Sequence, residues 1–121
     1  MPFFSWKTIT KDVDGNETLP AGMSRQAVTL GGIMIARHEA FPNLTCKPHS
    51  HASAQLTYML KGKLTVRIGE EERTLVSGDF AYIPPNIEHS IASGDEYVLA
   101  LDIFLPPRPD IERRLDELES R

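Results

Sequence analysis

His49-Ser50-His51, Gln55 and His89 are the residues of this chain whose types and spacing could do chemistry. In a strand, residues i and i+2 point to one face, with Cα atoms roughly 7 Å apart. His49 and His51 can therefore aim both imidazoles at one ion. Gln55 has the same parity, and its amide oxygen can join them if the chain stays extended. His89 must come from another strand. Three imidazoles and one oxygen donor suit a divalent transition metal ion (Ni, Zn, Mn, Fe or Co) and leave open positions for water or substrate. The His-x-His pair alone is a weak signal, because alternating histidines also occur on plain surfaces. Together with Gln55 and a downstream Pro84-x-Asn86-x-x-His89 in one short β-rich stretch, it points to a metal site.

The elements that must position these residues read as strands. Gln26 to Leu30, Gly31-Gly32 and Ile33 to Phe41 give strand, turn, strand. Ala54 to Leu60 is a strand, Lys61-Gly62-Lys63 a tight turn, and Leu64 to Ile68 its expected partner. Gly69 to Glu72 turns into Arg73 to Val76, Gly78 to Ile83 is a short strand, and His89 to Ala92 and Tyr97 to Phe104 complete the set. Short strands at regular spacing predict an all-β sandwich or barrel. Val98 to Leu101 is apolar at both parities, so that strand is expected to be buried on both faces, one of them against a helix or a second subunit. A homodimer is expected on that ground. Pro106-Pro107-Arg108-Pro109 cannot continue a ladder. Asp110 to Glu119 then carries Ile111, Leu115 and Leu118 at helical spacing, with Asp110 and Glu112 at the positive end. The opening aromatics Phe3, Phe4 and Trp6 are expected to pack on the barrel or a neighbour. Asp14-Gly15-Asn16 and Pro20-Ala21-Gly22 read only as turns.

Composition narrows the partners. The chain has 121 residues, enough for one domain with a real core. Its net charge of −4 and lack of a basic cluster argue against nucleic acid. Its one cysteine, Cys46, allows no intrachain disulfide. No apolar run of signal-peptide or membrane-span type is present, so a cytoplasmic protein with no membrane association is expected.

At this point the residues resemble a known family. The stretch is similar to the cupins, whose first motif is Gly-x5-His-x-His-x3–4-Glu-x6-Gly and whose second is Gly-x5-Pro-x-Gly-x2-His-x3-Asn. His49, His51, Gln55 and Gly62 take the first motif's places, and Gly78, Pro84 and His89 the second's. Asn43 and Asn86 stand where the pattern has Gly, Gln55 where it has Glu, and Ser93 where it has Asn. An asparagine can adopt the left-handed conformation that a glycine provides. The resemblance implies a cupin jelly-roll β-barrel with a short C-terminal helix, as a single cupin domain over 1–121 with a metal-binding core of about 40–105 and a helix of about 110–119. Leu101 to Arg108 further resembles the last strand of single-domain cupins of the pectin-degradation KdgF type, which linearise 4,5-unsaturated uronates. That likeness implies metal at His49, His51, Gln55 and His89, with Asp102, Phe104 and Arg108 in the substrate pocket.

The residues fit that chemistry. Opening the substrate moves a proton off the anomeric hydroxyl and delivers one to C4, with no net redox change, so a redox-inert Lewis acid suffices. Three imidazoles and an amide add no charge, which leaves the ion's full charge for an anionic, sugar-like ligand. Asp102 shares parity with Ala100 and Phe104 and is placed for acid–base work if that face lines the barrel; otherwise it partners a nearby arginine. Arg108 offers a fork for a carboxylate, or else pairs with an acid, and Phe104 offers a flat wall, or else packs in the core. His38 is expected to be partnered or solvent-facing, Cys46 to be a small buried side chain, and Lys63 and Arg67 to be solvated. Two other functions remain open at this stage: a non-haem iron dioxygenase of the three-histidine type, and a cupin that binds a sugar or anion without turning it over.

Overall fold

The computed structural model describes residues 2–120. Eight strands form two sheets. β1 (Met23–Leu30), β2 (Ile33–Ala40), β3 (Ala54–Lys61), β6 (Phe80–Ile83) and β8 (Val98–Leu105) make a five-stranded sheet in the order β1-β2-β8-β3-β6. β4 (Leu64–Ile68), β5 (Glu71–Leu75) and β7 (His89–Ser93) make a three-stranded sheet in the order β5-β4-β7. All strand pairs are antiparallel. The two sheets close a jelly-roll barrel, and one helix, α1 (Pro109–Glu119), follows β8.

Period-2 alternation decides which side chains enter the barrel. On the central strand β8, Val98, Ala100, Asp102 and Phe104 are buried, while Leu99, Leu101 and Ile103 are half-buried on the outer face. Met59, Leu64, Val66 and Leu75 meet Val98 and Ala100 in the main core. A second cluster joins Ala27, Met34, Ala36 and Phe104 to Ile111 of α1, with Leu115 against it. Pro109 opens the helix one residue before the expected start, at a position that needs no N–H partner.

The tight turn at Gly62 does not join paired strands. β3 pairs with β6 and β8, whereas β4 pairs with β5 and β7, so the turn carries the chain from one sheet to the other. Gly62 has φ +83°, and a Cβ there would lie 2.1 Å from the Tyr97 carbonyl oxygen, so the crossover needs a glycine. The next turn is shorter than the Glu-rich run suggests: Ile68 already pairs with Glu71, which leaves Gly69-Glu70 as the loop.

The segment before β1 folds across the barrel. Asp12 is fully buried and accepts both Arg114 Nε at 3.0 Å and Arg114 Nη2 at 3.2 Å, with Arg25 Nη2 3.5 Å away. Arg25, itself buried, donates to the carbonyl and hydroxyl oxygens of Thr18 at 2.9 and 2.8 Å. Residues 12–18, β1 and α1 are thereby tied together. Of the two expected partners, the barrel does not receive Phe3 and Phe4, which are exposed on the single chain, while Trp6, in a single 3-10 turn, is half-buried.

Candidate metal centre

His49 and His51 lie just ahead of β3, not within a strand. His49 and His89 exchange backbone hydrogen bonds at 2.9 Å in each direction, an isolated bridge that sets the two residues side by side. His89 opens β7, and the Asn86 N–H holds the His51 carbonyl at 2.8 Å. Asn86 has φ +63° and Asn43 φ +61°, so both asparagines adopt the left-handed conformation expected at the motif's glycine positions. One ring nitrogen from each of His49, His51 and His89 lies within 4.8 Å of the others. The chain bends at Ala52-Ser53, so the extended geometry expected between His51 and Gln55 does not hold. Gln55 on β3 nevertheless brings its Oε1 to 3.0 Å from His51 Nε2.

The hydrogen bonds fix the tautomers. His51 Nδ1 meets the Ser53 carbonyl at 2.8 Å and His89 Nδ1 the Ile87 carbonyl at 2.8 Å; His49 Nδ1 lies 3.4 Å from the Lys47 carbonyl. Each imidazole thus turns its Nδ1–H to a carbonyl two residues away and presents the Nε2 lone pair to the cluster. The His89 Nε2 is buried and has no hydrogen-bond partner. With the Nδ1–H given to the Ser53 carbonyl, the His51 Nε2 lone pair faces the Gln55 carbonyl oxygen at 3.0 Å. A cation satisfies all of these groups at once, so the donor set fits a divalent metal ion. Burial, together with the neighbouring His89, pushes the His49 imidazole down to about 4. Burial is also the main cause holding His51 and His89 below the ordinary histidine value. All three are neutral at pH 7, the form that binds metal.

A cavity of about 80 Å³ lies beside the cluster and is lined by His49, His89, Gln55, Asp102, Phe104 and Arg108, among others. It adjoins an outer cleft of about 580 Å³ that shares His49, Arg108, Cys46 and Thr18. Asp102 is 5% exposed. Its Oδ2 lies 2.7 Å from His38 Nδ1, and its Oδ1 accepts from Gln55 Nε2 at 3.0 Å and from the Thr57 hydroxyl. Burial works to raise its pKa, but the bonds and charge of His38, followed by Thr57 and Gln55, outweigh it and hold the carboxyl below its ordinary value. Arg108 donates through Nε and Nη2 to Asp110 at 3.2 and 2.7 Å and sits 5.2 Å over the Phe104 ring.

Residues 38–104, more than half of the chain, match the family profile of the cupin domain. The chain belongs to the cupin family. By structure this cupin is similar to KdgF from Halomonas sp., with a TM-score of 0.79 and 23% identity over 92% of this chain and 98% of that one. It is equally similar to an RmlC-like cupin from Shewanella frigidimarina, with a TM-score of 0.79 and 21% identity over 92% and 96% of the two chains. By sequence it is 33% identical over 64 residues to an H2HPP isomerase of Bacillus subtilis, a match covering 51% of this cupin and 27% of that protein. It is 38% identical over 60 residues to an uncharacterised protein of Aquifex aeolicus, of which it spans 50%. The chain therefore spans half or less of the curated relatives it matches.

The structure of this cupin brings His49, His51, Gln55 and His89 together, with Asp102, Phe104 and Arg108 around the same cavity. It narrows three of the sequence-based expectations. Asp102 is partnered by His38, not by an arginine. Phe104 is 1% exposed and packs edge-on against His51 and under Arg108, so it backs those two groups more than it offers an open wall. The fork of Arg108 has one edge taken by Asp110, while Nη1 has no hydrogen-bond partner among the described residues. Cys46 is a free thiol that lines the cavity, half-buried and raised in pKa by burial. Lys63 and Arg67 are exposed, as expected. His38 and Thr57 are the site residues that the motif reading missed. Thr57 had a signal, since it has the parity of Gln55 on β3; His38 had none, because its partner lies 64 positions away in the chain.

Proposed function

We propose that this cupin is a metal-dependent enzyme that opens 4,5-unsaturated uronate monosaccharides to 5-keto-4-deoxyuronates. The observation that carries the reading is the donor set. Three neutral imidazoles and a neutral amide surround one point, and a carboxylate and an arginine reach the same small cavity. A divalent ion held by His49, His51, Gln55 and His89 would supply a Lewis acid whose charge no ligand offsets. The likeness to a KdgF and to a protein named an isomerase supports the same class of reaction.

The residues divide the work. Arg108, steadied by Asp110 and Phe104, keeps Nη1 for the substrate carboxylate. Asp102 is ionised and lines the cavity, and in this reading it accepts the proton of the anomeric hydroxyl. The bond from C1 to the ring oxygen then breaks, C1 becomes an aldehyde, and the ring oxygen leaves as the enolate of C5. Ketonisation at C5 takes a proton at C4, which Asp102 can return. The net change is an isomerisation, and atoms and electrons balance without an oxidant.

The test is loss of the ultraviolet absorbance of the conjugated C4–C5 double bond on adding metal-loaded protein to the unsaturated monosaccharide. Metal-dependent loss well above the spontaneous rate is expected. Chelation and His51→Ala should abolish it, and Asp102→Asn should bind metal but lower turnover by about a hundredfold or more, as for loss of a general base. An Asp102→Asn variant as active as wild type would overturn the acid–base role. No acceleration with any of several divalent metals would leave a cupin that binds its ligand without turning it over.

A further inference from the structure

Two side chains outside the imidazole cluster bond Gln55, and a third, His38, bonds one of them. The Gln55 Nε2 donates to Thr57 Oγ1 and to Asp102 Oδ1, each at 3.0 Å. The Thr57 hydroxyl donates in turn to the same Asp102 oxygen, and His38 Nδ1 sits 2.7 Å from the other. The two acceptors lie side by side, so the amide nitrogen of Gln55 faces both at once. The amide cannot turn over without breaking both bonds, so its oxygen stays toward His51 Nε2 at 3.0 Å. The sheet register supports the arrangement. Asp102 lies directly opposite Thr57 across the β3–β8 pair, with Gln55 two residues from Thr57 on the same face.

We propose that His38, Thr57 and Asp102 are positioning residues for the metal centre, holding the Gln55 amide with its oxygen toward the three imidazoles, and that the Asp102 carboxylate is what excludes a glutamate at position 55. A glutamate there would replace an N–H donor, 3.0 Å from Asp102 Oδ1, with a second carboxylate oxygen. Gln55 and Asp102 are thus one coupled choice. The consequence is a centre with no anionic ligand, whose bound ion keeps its charge for an anionic substrate. The inference rests on the metal-centre part of the proposed function and not on the uronate.

The test is a titration of the metal-free full chain with Co(II), followed by visible absorption against a competing chelator, with no substrate present. Thr57→Val and Asp102→Leu remove acceptors of the Gln55 amide. Each should weaken Co(II) binding by about tenfold or more, the usual effect of losing an outer-shell partner, and change the Co(II) spectrum as Gln55→Ala does. His38→Leu should do the same more weakly, and His38→Gln, which keeps an N–H donor, should restore the wild-type spectrum. Gln55→Glu should bind Co(II) at least about tenfold better, relative to its own background, when Asp102 is changed to Asn, because the two substitutions remove one repulsion. Wild-type affinity and spectrum in folded Thr57→Val and Asp102→Leu would overturn the positioning role. An equal effect of Gln55→Glu in both backgrounds would overturn the coupling. Either result is independent of whether the uronate is turned over.

Discussion

At the scale of single residues, the metal reading depends on where protons sit. The Nδ1 atoms of His51 and His89 are committed to carbonyls at 2.8 Å, and burial keeps all three cluster imidazoles below the ordinary histidine value, His49 down to about 4. In the unfolded chain these histidines take up protons near pH 6.5. Between that value and the lower folded values the unfolded state binds more protons, so stability falls as pH is lowered through this window and is flat above it. The urea midpoint of the metal-free protein should therefore hold steady above about pH 7 and decline from about 6.5 toward 4. A midpoint that is constant or rises across that range would contradict the neutral, buried cluster. Most of the cluster was legible in the sequence, because His49, His51 and His89 fall on a spaced motif. Gln55 was legible for an incomplete reason. Parity along an extended strand was expected to bring it to the histidines, whereas the chain bends at Ala52-Ser53 and the Thr57 and Asp102 bonds aim the amide.

At the scale of elements, strand identity was readable because apolar alternation and Gly turns are local. Which sheet each strand joins was not. The turn at Gly62 looks like a hairpin in sequence and is a crossover in space, since its backbone packs against the Tyr97 carbonyl. The N-terminal segment shows the same limit. Asp12 looks like an ordinary surface acid, yet it is fully buried against Arg25 and Arg114 and ties residues 12–18, β1 and α1 together. Thr18, Leu19 and Pro20 of this segment line the cavity. Asp12→Ala leaves Arg25 without its buried counter-charge, and removing one member of such a pair costs about 3 kcal/mol or more. The variant should unfold at a correspondingly lower urea concentration, with an unchanged m-value. A loss below about 0.5 kcal/mol, typical of a surface site, would mean that the node does not hold the segment.

In the whole molecule, the outer face of the five-stranded sheet carries an apolar patch on the β8-β3-β6 side, bordered by Arg37 and Glu39 of β2. Ile35, Ile103, Leu56 and Tyr82 lie in register across β2, β8, β3 and β6, and Leu101, Tyr58 and Phe80 form the next row. Tyr82 and Phe80 are 59% and 63% exposed, and the Tyr58 and Phe80 rings stack. Contiguous apolar surface of this kind marks an interaction site, and the proposed occupant is a second copy of the chain. Wild-type protein should then sediment as a dimer and Tyr82→Glu as a folded monomer; a monomeric wild type would remove the proposal. No helix among the described residues is long and apolar enough to cross a membrane. Proton NMR in heavy water follows the proposed isomerisation of an unsaturated uronate by the metal-bound barrel. Metal-loaded protein should erase the vinyl signal at C4 and place one deuterium there as the open-chain keto product forms, and chelated protein should do neither. Substrate that loses its vinyl signal only at the spontaneous rate, with the protein fully metal-loaded, would rule this activity out.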